Sequence, residues 1–87
     1  MDRIPAITRY LVDAFAPDIS AAELSPDEDL LENGVLNSIV LIKTLPWIES
    51  TYAVDLDLIE VTPADFRTVK DIDALIQRAL DARRNAA

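Results

Sequence analysis

The sequence predicts an all-α domain, a four-helix bundle, and three observations carry that expectation. Apolar residues recur at three- and four-residue intervals in separate stretches, which is the period of one helix face. Helix-start and helix-stop residues bracket those stretches. The strand-like run Tyr52-Ala53-Val54-Asp55-Leu56 is too isolated to pair into a sheet. Eighty-seven residues, 51% of them hydrophobic, are enough for one small core and leave no room for a second domain.

Ile4, Ile7, Leu11, Val12 and Phe15 form the apolar face of a first helix over about residues 3–16. Asp2 is its expected N-cap, and Pro17 ends it because the residue before a proline is driven out of helical geometry. Residues 17–37 then read as one long loop, with Ser20, Ser25, Pro26, Asn33 and the only glycine, Gly34. Ile19, Leu24, Leu30 and Leu31 are expected to anchor it against the core. Unstructured connections beyond about 12–15 residues are uncommon in compact domains and are often functional. Gly34 is expected to supply a backbone angle that other residues resist.

The second helix spans about residues 38–52. Leu41, Thr44, Leu45, Ile48 and Tyr52 fall on one stripe suited to a core, while Ile39, Ile42 and Pro46 form a second row beside Ser38. That second row reads as a contact surface or as a further face of a helix buried nearly all round. Pro46 removes a backbone hydrogen bond, so a kink is expected there. Trp47 fits a core position and a partly exposed contact equally well. After a linker over 53–61, Thr62-Pro63-Ala64-Asp65 supplies a cap, a proline at the first helical position and an early acid, predicting a short third helix over about 62–66. A fourth helix over about 68–83 starts with Thr68 as cap and Asp71 at its third position, and buries Ile72, Leu75, Ile76 and Leu80. The tail from Asp81 onward is expected to fray.

Composition excludes several chemistries. The chain has no His and no Cys, so it builds neither a Ser-His-Asp triad nor a Cys/His zinc site. Lys43, five residues after Ser38, lies about 140° away from it around a helix and is badly placed as a substitute base. An enzyme is therefore not expected. Residues 1–65 hold 13 acids and 3 bases, and residues 66–87 hold 3 acids and 5 bases, so the net charge of −8 divides into −10 and +2. Phosphate binding needs clustered Lys and Arg, which disfavours nucleic acid. An acidic surface suits basic partner proteins, although acids also serve simply to keep a small domain soluble. No stretch approaches the roughly 20 apolar residues of a membrane span, and the start of the chain lacks the pattern of a signal peptide. A cytoplasmic location is the expectation.

Gly34-Val35-Leu36-Asn37-Ser38-Ile39 places a hydroxyl where the loop becomes the second helix. This stretch resembles the Gly-x-x-Asp-Ser-Leu segment of the acyl carrier proteins, a family that includes peptidyl and aminoacyl carriers. Leu30-Leu31-Glu32-Asn33 is similar to the acidic lead-in to that segment. Val61-Thr62-Pro63-Ala64-Asp65-Phe66-Arg67-Thr68-Val69 resembles the Thr-Pro-Glu-Asn-Phe-x-Thr-Val segment of free-standing and aminoacyl-type carriers. The three matches stand in the right order, and the resemblance as a whole covers nearly the whole chain. Two positions depart from the pattern: Asn37 stands where the family usually has aspartate, and Ile39 where leucine is usual. Lys43 and Pro46 occupy helix positions where relatives often display acids, which implies a different choice of partner from that of fatty-acid carriers.

The resemblance implies a four-helix bundle of acyl-carrier-protein type, with 4′-phosphopantetheine attached covalently to Ser38. It implies a carrier that holds an acyl or aminoacyl group as a thioester and presents it to other proteins. The Phe66-containing segment tilts the cargo toward the aminoacyl or peptidyl type. Its partners would be a phosphopantetheinyl transferase, an AMP-forming ligase that loads the arm, and downstream acyl-transferring enzymes, met one at a time by a monomer. Leu36, Asn37, Ile39, Ile42 and Pro46 are the expected partner-recognition residues. The alternative is an unmodified helical interaction module, for which Ser38 would be dispensable.

Overall fold

A computed structural model describes residues 3–16, 20, 23–32 and 34–86 of the chain. The described residues are all-helical, with no strand among them. Three α-helices, α1 (Ile4–Phe15), α2 (Ser38–Tyr52) and α3 (Val69–Ala86), are joined by the long first loop and by two single 3₁₀ turns, Leu56–Leu58 and Pro63–Phe66. The expected short third helix is thus a 3₁₀ turn, and the linker before it contains another. Both are short enough for the tighter i→i+3 pattern to suffice.

α3 is the hub, since it packs against α1, α2 and both 3₁₀ turns. Val69, Ile72, Leu75, Ile76 and Ala79 on its inner face are fully buried. They meet Ile7, Leu11 and Val12 of α1, Val40 and Ile48 of α2, and Phe66 of the second turn in one apolar cluster. Two threonines share that interior because each hydroxyl donates to a carbonyl one turn earlier, Thr8 to Ile4 at 2.9 Å and Thr44 to Val40 at 2.7 Å. Such back-bonding satisfies a buried hydroxyl that would otherwise cost free energy.

α1 begins with Arg3 at the N-cap position, making no side-chain cap bond. The expected cap, Asp2, and the expected stop, Pro17, lie outside the described residues, as do Ile19 and Asn33. Arg3 instead ties α1 to α3, donating to Asp73 at 2.7 Å and to Gln77 at 2.8 Å. Trp47 is partly buried between helices: it stacks on Tyr10 with centroids 4.1 Å apart and meets Tyr52 edge-on at 5.8 Å. Burial pushes the Tyr52 phenol above its ordinary value, with Asp73 adding to the effect against the opposing charge of Arg3.

α2 is one continuous helix with Pro46 inside it, at an exposed position. One further expectation meets a different outcome: α3 continues to Ala86 instead of fraying from Asp81. Arg83 holds that end, donating to the Ala53 carbonyl at 2.9 Å. The caps drawn for the two last elements are present. Thr68 Oγ1 accepts from Asp71 N–H at 3.0 Å, and the Asp65 carboxylate accepts from Thr62 N–H at 2.8 Å.

Candidate functional site at the start of α2

The first loop is fastened to the start of α3 before it reaches Ser38. Leu30 N–H donates to the Arg67 carbonyl at 2.8 Å, and Lys70 N–H donates to the Pro26 carbonyl at 3.2 Å. Beside these backbone links, Arg67 Nε pairs with Asp29 at 3.1 Å and Lys70 Nζ with Asp27 at 2.8 Å. The Asp29 carboxylate also closes a turn, accepting from the N–H groups of Leu31 at 2.9 Å and Glu32 at 3.2 Å. The Glu32 N–H and, after it, the Arg67 guanidinium and Leu31 N–H hold the Asp29 carboxyl below its ordinary value, outweighing partial desolvation.

Leu24 and Leu30 anchor this loop in the core as expected. Leu31 does not: at 53% exposure it lies on the surface. Two successive leucines point to different sides, and Leu30 takes the inward one. Gly34 then turns the chain at φ +82, the left-handed region where a Cβ is unfavourable. Leu36 N–H donates to the Leu30 carbonyl at 2.8 Å, and the buried side chains of Val35 and Leu36 fix the approach to the helix.

Asn37 is extended and caps α2, its side-chain oxygen accepting from Val40 N–H at 3.0 Å. A cap of this kind contributes about 1 kcal/mol. It leaves the N–H groups of Ser38 and Ile39 without an intrahelical acceptor, next to an exposed Ser38 hydroxyl that makes no hydrogen bond among the described residues. No acidic residue occupies the first turn of α2. The combination of free N–H groups, the positive end of the helix dipole and the lack of a nearby carboxylate in that turn fits an anionic group attached at Ser38. The exposed hydroxyl, without a hydrogen bond among the described residues, is accessible as an attachment point.

Ser38 opens onto a cleft of about 380 Å³ lined by Leu31, Leu36, Asn37, Leu41 and Pro63. Ile39 and Ile42, each 64% exposed, stand beside it with the exposed Pro46 one turn on. The row drawn from the sequence is therefore on the surface. Leu36 is the exception among the expected recognition residues, being 5% exposed and held in the loop's anchor. Leu31, Leu41 and Pro63 were not among the expected site residues. Leu41 was read from its spacing as a core residue and is only partly buried, and Pro63 reaches the site because the tertiary fold brings the second 3₁₀ turn to α2. Adjoining this cleft, and sharing Leu41 and Pro63 with it, is a second one of about 440 Å³ between α2 and the two 3₁₀ turns, reaching Leu45, Phe66, Glu49 and Asp57.

Among the described residues no helix is long and apolar enough to cross a membrane, and no cluster of three or more potential metal ligands occurs.

Neither a scan against models of protein families nor a search of curated proteins finds a match. Solved structures do match. The structure of KstB-PCP in its apo form, a peptidyl carrier protein domain, superimposes with a TM-score of 0.76 at 33% identity, covering 87% of this chain and 84% of that one. The solution structure of KstB-PCP in kosinostatin biosynthesis gives a TM-score of 0.65 at 34% identity, covering 91% of this chain and 89% of that one. Identity at that level over nearly the full length of both chains, on the same helical fold, means that the chain belongs to the carrier protein family.

Proposed function

We propose that this carrier is loaded through Ser38, which receives a 4′-phosphopantetheine arm from a phosphopantetheinyl transferase. The observation that carries the reading is the exposed, unbonded Ser38 hydroxyl at the capped N-terminus of α2, beside two free backbone N–H groups. The arm supplies a thiol, which holds an acyl or aminoacyl group as a thioester. Asn37 fixes the start of the helix, Ser38 provides the oxygen that attaches the phosphate, and the N–H groups of Ser38 and Ile39 favour its negative charge. Ile39, Ile42 and Pro46 offer an exposed apolar row for the transferase, an AMP-forming loading ligase and acyl-transferring enzymes in turn. Tethering raises the local concentration of cargo at each docked partner, so the protein needs no catalytic residue of its own.

The test is incubation of the purified protein with coenzyme A, magnesium and a broad-specificity phosphopantetheinyl transferase, followed by intact-mass measurement. The expected result is addition of one phosphopantetheine to the wild type and none to Ser38→Ala, with unchanged helical circular dichroism. Attachment to the Ser38→Ala protein would overturn the assignment.

A further inference from the structure

Four residues of α2, Ser38, Leu41, Leu45 and Glu49, stand at offsets of zero, three, seven and eleven along one continuous helix. Eleven residues fall within about 20° of three whole turns and rise about 16 Å, so Ser38 and Glu49 lie on one stripe. The clefts along this stripe adjoin at Leu41 and Pro63 and together lead from Ser38 to Glu49. Their shared wall is apolar, but the far end is not: Glu49 and Asp57 both line it, and no Lys or Arg lines either cleft. Neither carboxylate has an ion-pair partner among the described residues, where the ion pairs join Arg3, Arg67, Lys70 and Arg78 to Asp73, Asp29, Asp27 and Asp65. Glu49 is held in position by one oxygen, Oε2, which accepts from Leu56 N–H at 3.1 Å.

An apolar groove that ends at two uncompensated carboxylates complements a cation and repels an anion. We propose that this groove reads the cargo by charge, with Glu49 and Asp57 keeping an arm-bound group that carries a free ammonium folded against the protein and leaving one that carries a carboxylate in solvent. The proposal rests on Ser38 being the attachment point. Glu49 and Asp57 are specificity determinants here and take part in no bond-making.

The experiment attaches three stable, amide-linked pantetheine arms to Ser38 of the full chain: alanyl, N-acetylalanyl and succinyl. Intact mass confirms each attachment first, so a failure of the Ser38 assignment is seen before the groove is tested. Amide chemical shifts of Leu45, Glu49 and Leu56 are then expected to move with the alanyl arm and to stay near those of the unloaded protein with the succinyl arm. The alanyl ammonium should titrate about half a pH unit higher on the wild type than on the double variant Glu49→Gln, Asp57→Asn. Glutamine retains the acceptor for Leu56 N–H, so the turn keeps its tie. Identical shifts for the three arms on the wild type, or the same amine titration on both proteins, would overturn the proposal. The wild-type comparison stands whether or not the variant folds.

Discussion

Two backbone positions show opposite fits between residue and conformation. Gly34 adopts φ +82 and a Cβ built there meets nothing within 4 Å, so the glycine is needed for its dihedral and not for space. Ala53 ends α2 in the left-handed region at φ 53, where a side chain is disfavoured. The left-handed conformation costs a residue with a Cβ roughly 1–2 kcal/mol relative to glycine. Gly34→Ala should therefore lower, and Ala53→Gly should raise, the free energy of urea unfolding by about 1 kcal/mol each, with the m-value unchanged. Of the pair only Gly34 was legible in the sequence, because a lone glycine marks its own position. Ala53 carries no such mark, and its strain arises from where α2 must stop for Val54 and Leu56 to enter the core. The place of Ser38 at the start of α2 was legible because the loop gives way there to an apolar run of helical spacing.

α2 separates two roles by face. Thr44 and Ile48 are buried and Leu41, Leu45 and Tyr52 of the expected core stripe partly so, whereas Ile39, Ile42 and Pro46 are exposed; spacing grouped each row but left open whether the second was free or buried. What spacing did not give was the third stripe, through Ser38, Leu41, Leu45 and Glu49, because a groove needs a far wall and that wall comes from turns at 56–66. Pro46 tests the cost of the exposed row. Replacing it by alanine restores a helical N–H but frees the unfolded chain, and the two effects leave a net stabilisation of about 1–2 kcal/mol. Urea unfolding of Pro46→Ala checks this, and unchanged stability would mean that the helix absorbs the proline without penalty. The first loop offers a second test at this scale. The unfolded chain binds a proton on Asp29 at its ordinary 3.8, and the folded chain does so only at lower pH. The stability supplied by that carboxylate is complete above the ordinary value and is lost as pH falls through the lowered one. Unfolding midpoints followed from about pH 5 to about pH 2 should fall more steeply for the wild type than for Asp29→Asn, which has already lost the charge.

The uneven charge of the chain acquires a structural reason at the scale of the whole molecule. Bases crowd the last third of the sequence, where Arg67 just before α3 and Lys70 and Arg78 within it reach acids of the first loop and the second 3₁₀ turn. Part of what reads in sequence as surface charge is thus internal fastening. Exposed pairs of this kind contribute little each, about 0–1 kcal/mol, so the fold rests on its apolar cluster. Phe66 is the largest side chain fully buried there, and it arrives on a single 3₁₀ turn with no long helix of its own to hold it. Removing it leaves a cavity that α3 cannot close, since Ile72, Leu75 and Ile76 are already packed on the other elements. Phe66→Ala should cost about 3–5 kcal/mol, a large share of the roughly 4–13 kcal/mol that a chain of this length commands. Trp47 reports the outcome, because its stacking on Tyr10 exists only while α1 and α2 are docked. Urea unfolding followed by its fluorescence should shift to much lower denaturant in the variant. A shift smaller than about 1 kcal/mol would mean that the turn is an appendage and that α1, α2 and α3 hold the core without it.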